Sequence, residues 1–139
     1  MIPLLKKQRK PAGNQAPLSI AVADDVEAIR ELVRVWLESM GHSVVTASSG
    51  RELLRLVKER MFDLVITDIV MPDGDGWEAI LAINRIRPDI RILAISGGGA
   101  KMPPDACLRM ARGVGADVVL KKPFNRPEFI EAFARATGR

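Results

Sequence analysis

Between residues 19 and 137, short apolar runs give way five times over to longer stretches with helical spacing. The apolar runs occupy 19–23, 43–47, 64–67, 92–95 and 118–121, and they lack the apolar–polar alternation of a half-exposed strand. Strands of that kind are buried on both faces. Their strand-then-helix repeat predicts an α/β domain, a doubly wound parallel sheet of five strands with helices on both sides. Right-handed crossovers leave few ways to order them.

The helical stretches have readable limits. Ile29, Leu32, Val33, Trp36, Leu37 and Met40 recur on one face, and Gly41 ends that helix. Leu53, Leu54, Leu56 and Val57 mark a second helix after Ser49-Gly50. Trp77, Ile80, Leu81, Ile83 and Asn84 carry a third, closed by Arg87-Pro88. A fourth is expected from near Pro104 to Arg112-Gly113, and a fifth from about Pro127 to Thr137, burying Phe129, Ile130 and Phe133.

In open parallel sheets, ligands bind beyond the carboxyl ends of the strands. Asp24 and Asp25 follow the first run, Asp68 the third, Ser96 the fourth and Lys122 the fifth. Three acids, a hydroxyl and an ammonium at one edge could hold a divalent cation and a phosphoryl group. Plainer roles compete for the individual residues. Asp24 or Asp25 could cap the helix that begins near Val26. Asp73 and Asp75 read as turn formers beside Gly74 and Gly76. Lys121 reads as a solvated charge, His42 as a turn residue, Cys107 as a packed helix position, and Trp36 and Trp77 as core or half-buried rings. His42 is the only histidine, so no histidine-based metal site or relay can form.

Composition narrows the function classes. With 139 residues the chain is one domain plus a tail, long enough to bury roughly two-thirds of its unfolded surface. Aromatic residues are only 4%, so an aliphatic core is expected. The single cysteine excludes an intramolecular disulfide and suits a reducing, cytoplasmic setting. No apolar run approaches the ~20 residues of a membrane span. The net charge of +4 resides in residues 1–17, which hold Lys6, Lys7, Arg9, Lys10 and no acid. The body, 18–139, is neutral, so its surface does not read as a nucleic-acid face. Residues 1–17, rich in Pro and poor in apolar side chains after Leu5, read as a disordered basic leader.

Together these residues resemble the receiver domain of bacterial two-component response regulators. The resemblance spans about 19–137. It is carried by Asp24-Asp25, the run Asp68-Ile69-Val70-Met71-Pro72-Asp73-Gly74-Asp75-Gly76, Ile95-Ser96-Gly97, Gly115-Ala116-Asp117 and Lys122-Pro123-Phe124. It implies a flavodoxin-like fold with strand order 2-1-3-4-5, an order for which receivers are a standing example. By resemblance Asp68 is the phosphoacceptor, and Mg²⁺ is held by Asp24, Asp25, Asp68 and the backbone carbonyl of Val70. Lys122 would then neutralise phosphoryl oxygens and Ser96 would hydrogen-bond one of them. The peptide before Pro123 is expected to be cis. The implied donor is a sensor histidine kinase or a histidine phosphotransfer protein. Output is expected through a docked protein target or a phosphorelay, from a monomer or weak dimer.

Three departures from the family pattern carry expectations of their own. Val119 stands where a receiver often has an aromatic ring, and the chain has no Tyr. The segment 97–104, with three glycines and two prolines, is longer than is usual and is expected to carry the phosphorylation response instead. Val70 and Gly98 offer no water-orienting side chain, so slow self-dephosphorylation is expected. With nothing after the fifth helix, a stand-alone receiver is expected, not an enzyme on other substrates. The alternatives are a receiver-shaped interaction module that needs no phosphorylation, an Asp-nucleophile phosphatase, and nucleic-acid binding through the leader. Phosphatases of that kind place a second Asp two residues after the nucleophile, and here that residue is Val70.

Overall fold

The structure, a computed structural model, describes residues 16–71, 76–97 and 104–139, without the side chains of Pro104, Cys107 and Leu108. The leader up to residue 15, the turn reading of Asp73 and Asp75, the packing of Cys107 and most of the 97–104 segment lie outside the described residues. The order is β1 (Ser19–Ala23), α1 (Glu27–Ser39), β2 (Ser43–Ala47), α2 (Gly50–Glu59), β3 (Leu64–Asp68), α3 (Gly76–Ile86), β4 (Arg91–Ser96), α4 (Pro104–Val114), β5 (Val118–Lys121) and α5 (Arg126–Thr137). All strand pairs are parallel and the sheet runs β2-β1-β3-β4-β5. That is the doubly wound, flavodoxin-like arrangement expected from the sequence.

Successive side chains on a strand point to opposite faces, so each central strand feeds two cores. Ala21, Ala23, Val65, Ile92 and Ala94 meet Leu53 and Val57 of α2, Ile80 and Ile83 of α3 and Ala111 of α4. Ile20, Val22, Leu64, Ile66, Leu93 and Ile95 meet Val33 and Leu37 of α1 and Phe129 and Phe133 of α5. The first core is aliphatic but for Phe62 and the half-buried Trp77 packed against it. The second departs from the aliphatic expectation, because Trp36, Phe124, Phe129 and Phe133 form a run of ring contacts with centroids 5.4–6.4 Å apart. Few aromatics were available, and three of the four Phe rings gather on one face. On α1, Leu32 and Met40 belong to the predicted apolar face yet are exposed, because the buried face is narrower than the apolar one.

Helix limits follow local chemistry. Ser49 caps α2, its hydroxyl accepting from the Glu52 amide. Asn125 and Glu128 form a reciprocal capping box on α5. Gly41, with φ of 94°, ends α1 in a conformation costly for residues with a Cβ. Neither Asp24 nor Asp25 caps α1: its N-cap is Val26, with no side-chain cap. Asp24 Oδ1 instead accepts from the Val26 amide at 2.9 Å, one step too early.

His42 sits in the loop between α1 and β2, where the turn reading puts it, but it does not face solvent. It is buried, its Nδ1 accepts from the Leu18 amide at 3.0 Å, and its ring lies 5.3 Å from that of Phe133. Burial first, and the positive charge of Arg139 second, hold its pKa below the usual imidazole value, while Asp63 pulls the other way. Trp36 and Trp77 are half-buried, and Lys121 is exposed, as expected. Among the described residues no helix is long and apolar enough to cross a membrane.

Candidate functional site

Register brings the acids together. β1 and β3 are neighbours, with Ala23 opposite Thr67, so the next residues along, Asp24 and Asp68, stand side by side at the carboxyl edge. Asp24 and Asp68 are buried and Asp25 is exposed. Carboxylate oxygens of the three lie within 4.8 Å of one another. Gly76, the first residue of α3, makes room for this. A Cβ there would overlap the Ile69 carbonyl oxygen and fall 2.6 Å from that of Asp68, so only glycine lets the helix abut the acid's backbone. Nothing in the local pattern of the sequence marked that constraint.

Lys122 arrives from β5, two strands away from β3. Its amide donates to the Ser96 carbonyl at 2.8 Å, which continues the sheet by one bond past Lys121. Its Nζ donates to Asp68 Oδ2 at 2.9 Å and forms an ion pair with Asp24 Oδ2 at 3.0 Å. Lys121, its neighbour, points to solvent, so alternation along the strand selects the lysine beside the proline. The Lys122-Pro123 peptide is cis.

Backbone groups fix the remaining oxygens. Asp68 Oδ1 accepts from the Val70 amide at 3.2 Å. Arg30 reaches back from α1 to donate to the Asp24 carbonyl at 2.7 Å, a brace with no signal in the sequence. Asp24 Oδ2 is buried and faces the Lys122 ammonium. Ser96 Oγ is fully buried at the end of β4 and has no hydrogen-bond partner among the described residues. Val119 lies half-buried against the aliphatic core, opposite Ala94.

The electrostatics express the crowding. Burial pushes the Asp68 carboxyl above its usual range, against the bond and charge of Lys122, and the negative charge of Asp24 pushes the same way. Burial by itself would lower the Lys122 ammonium, but its contacts with Asp68 and Asp24 outweigh that and raise it. Lys122 is therefore fully charged at neutral pH. Three carboxylates against one ammonium leave an excess of negative charge. Hard oxygen donors with one exposed member fit a small divalent cation such as Mg²⁺.

This geometry has close parallels. The family model for the response regulator receiver domain matches residues 20–134. The chain is 38% identical to the DNA-binding transcriptional regulator NtrC of Azospirillum brasilense over 118 residues, 85% of this chain but 24% of that protein. It is 32% identical to the transcriptional regulatory protein GlrR of Escherichia coli, over 84% of this chain and 25% of the relative. The chain thus spans about a quarter of the length of these relatives. Among solved structures, chemotaxis protein CheY4 of Vibrio cholerae superposes with a TM-score of 0.77 at 29% identity, covering 87% of this chain and 99% of that one. The beryllofluoride-activated NtrC4 receiver domain dimer gives 0.76 at 32% identity, covering 86% and 96%. With its sheet order, its acid cluster and this match over nearly its whole described length, the chain belongs to the receiver domain family of two-component response regulators.

Proposed function

We propose that Asp68 accepts a phosphoryl group from a phosphohistidine on a sensor histidine kinase or histidine phosphotransfer protein, in a Mg²⁺-dependent reaction. The observation that carries this is the salt bridge of Lys122 to Asp68 Oδ2 inside a cluster of three carboxylates. Asp24, Asp25, Asp68 and the Val70 carbonyl would hold the cation, which when bound offsets negative charge on the phosphoryl oxygens. An Asp68 oxygen forms the new O–P bond as the N–P bond to imidazole breaks. The leaving nitrogen keeps the electron pair and later takes a proton from water. Asp68 is a weak nucleophile, so placement and charge neutralisation supply the rate.

Lys122 is already bonded to the attacking carboxylate and needs only to shift its ammonium onto a phosphoryl oxygen. The unpartnered Ser96 hydroxyl supplies a donor that gains a partner only when the phosphoryl group arrives. That difference is what a switch requires, because a group bonded equally in both states biases neither. Val70 is 39% exposed beside the acceptor and carries no group to orient water, which supports a long-lived phosphorylated state. Signalling would follow through altered docking on a protein target or a further phosphorelay step.

The test is intact mass after incubation with acetyl phosphate and Mg²⁺, beside Asp68→Asn and an EDTA control. One phosphoryl adduct that needs both Asp68 and Mg²⁺ is the expected result. An adduct that survives in Asp68→Asn would move the acceptor elsewhere. No adduct, followed by none from a phosphorylated histidine phosphotransfer protein, would leave a module that works without phosphorylation.

A further inference from the structure

The amino-terminal edge of the sheet, opposite Asp68, carries a cleft that phosphoryl transfer does not use. Its volume is about 430 Å³, within the range of small-molecule sites. Leu18, Phe62 and Ile90 give it an apolar wall, and each is at most 5% exposed. Arg87, Arg139 and the buried Arg91 also line it. The acids in its lining are Asp63, which is committed to the Ser19 amide at 2.9 Å, and Asp89, which is exposed.

Two of the three lining arginines, Arg87 and Arg139, are incompletely bonded. Arg87 Nη2 makes a long 3.5 Å contact to the Lys58 carbonyl, while Arg87 Nε is buried with no acceptor among the described residues. Arg139 Nη2 is in the same condition. A guanidinium cannot lose its proton at neutral pH, so these donors stay charged and unmet. Leaving a buried donor unmet is costly. Turning either arm into the cleft breaks no hydrogen bond at those atoms, and an oxyanion there would supply the missing acceptors in the fork geometry that guanidinium favours.

We propose that this cleft binds a small amphiphilic anion, its oxyanion head held by Arg87 and Arg139 and its compact apolar body laid on Leu18, Phe62 and Ile90. Carboxylates and phosphate monoesters share that chemistry. The site is independent of the phosphoryl reaction, since it lies at the other end of every strand.

The test titrates the whole chain with octanoate, octyl phosphate, octanol and octylamine, following backbone amide and methyl resonances. Saturable shifts centred on Leu18, Phe62 and Ile90 are expected with the anions, and at least tenfold weaker binding with octanol and octylamine. The tighter of the two anions identifies the head group. Arg87→Gln and Arg139→Gln should each weaken anion binding about tenfold, the loss expected for one charge-assisted bond. Arg85→Gln, on the exposed side of α3, should leave it unchanged. Far-ultraviolet circular dichroism checks that the variants fold. Octanol binding as tightly as octanoate, shifts centred elsewhere, or no shift up to the micelle limit would each overturn the proposal.

Discussion

Aspartates stand at both edges of this sheet, and they do opposite work. At the amino edge, Asp63 accepts from the Ser19 amide at 2.9 Å and Asp117 from the Ile92 amide at 2.8 Å. Where parallel strands begin, N–H groups emerge unpaired, and a carboxylate is their natural acceptor. At the carboxyl edge the emerging groups are carbonyls, which offer an acid nothing. Asp24, Asp25 and Asp68 therefore face one another, with one lysine between two of them. The same residue type stabilises one end of the molecule and stores repulsion at the other.

The contrast predicts effects of opposite sign, and the largest is on activity. Asp68→Asn should abolish phosphorylation by acetyl phosphate, read by intact mass, whereas Asp63→Asn should leave it intact. Lys122→Ala comes next. It should slow phosphorylation at least ~100-fold by quench-flow or mass sampling, the scale of losing an electrostatic group in a dry site. It should also cost about 3 kcal/mol in urea unfolding without Mg²⁺, because two buried carboxylates lose their cation. Full activity in Lys122→Ala would remove the ammonium from the mechanism.

Stability alone separates the next pair. Asp63→Ala should cost about 1–2 kcal/mol, the price of one unmet backbone donor. Asp68→Asn in EDTA should gain about 1 kcal/mol at pH 7. Burial raises the Asp68 carboxyl in the folded state, so the ionised form opposes folding at neutral pH, and the penalty fades as pH falls through the folded value. Destabilisation by Asp68→Asn in EDTA would contradict the idea that the site stores repulsion.

The smallest effect concerns His42. Its folded pKa is lowered from the ordinary 6.5, so its contribution is whole above that value and lost as pH falls below it toward the folded pKa. The loss has a structural cause, since protonated Nδ1 cannot accept from the Leu18 amide. The urea midpoint should therefore drop between pH 7.5 and pH 5 by an amount worth about 1 kcal/mol. In His42→Gln the slope over that range should flatten. An equal slope in the variant would place the titration elsewhere.

Most of the architecture was legible residue by residue. Apolar runs, Gly41, Ser49 and the cluster at 68–76 each act over a few neighbours, so strands, helices and the position of Asp68 could be placed from local pattern. Asp24, Asp25, Asp68, Ser96 and Lys122 were readable as a set because parallel strands all end at one edge. The burial of His42 in its loop was not legible because its partners, Leu18 and Phe133, are far away in the chain. The exposure of Leu32 and Met40 was not legible for a related reason. Helical spacing shows that a face is apolar but not how much of it the sheet covers.

By itself the sequence determined the α/β repeat, the edge on which the polar residues fall and the identity of the acids, because those follow from short-range pattern and the direction of parallel strands. Only the tertiary structure decided that Lys122 bridges Asp24 and Asp68, that Ser96 Oγ is buried without a partner among the described residues, that Gly76 presses on the backbone of Asp68 and Ile69, and that Arg87 and Arg139 line one cleft. Those facts depend on register and burial between elements distant in the chain, and which donor meets which acceptor is set only once the layers are packed.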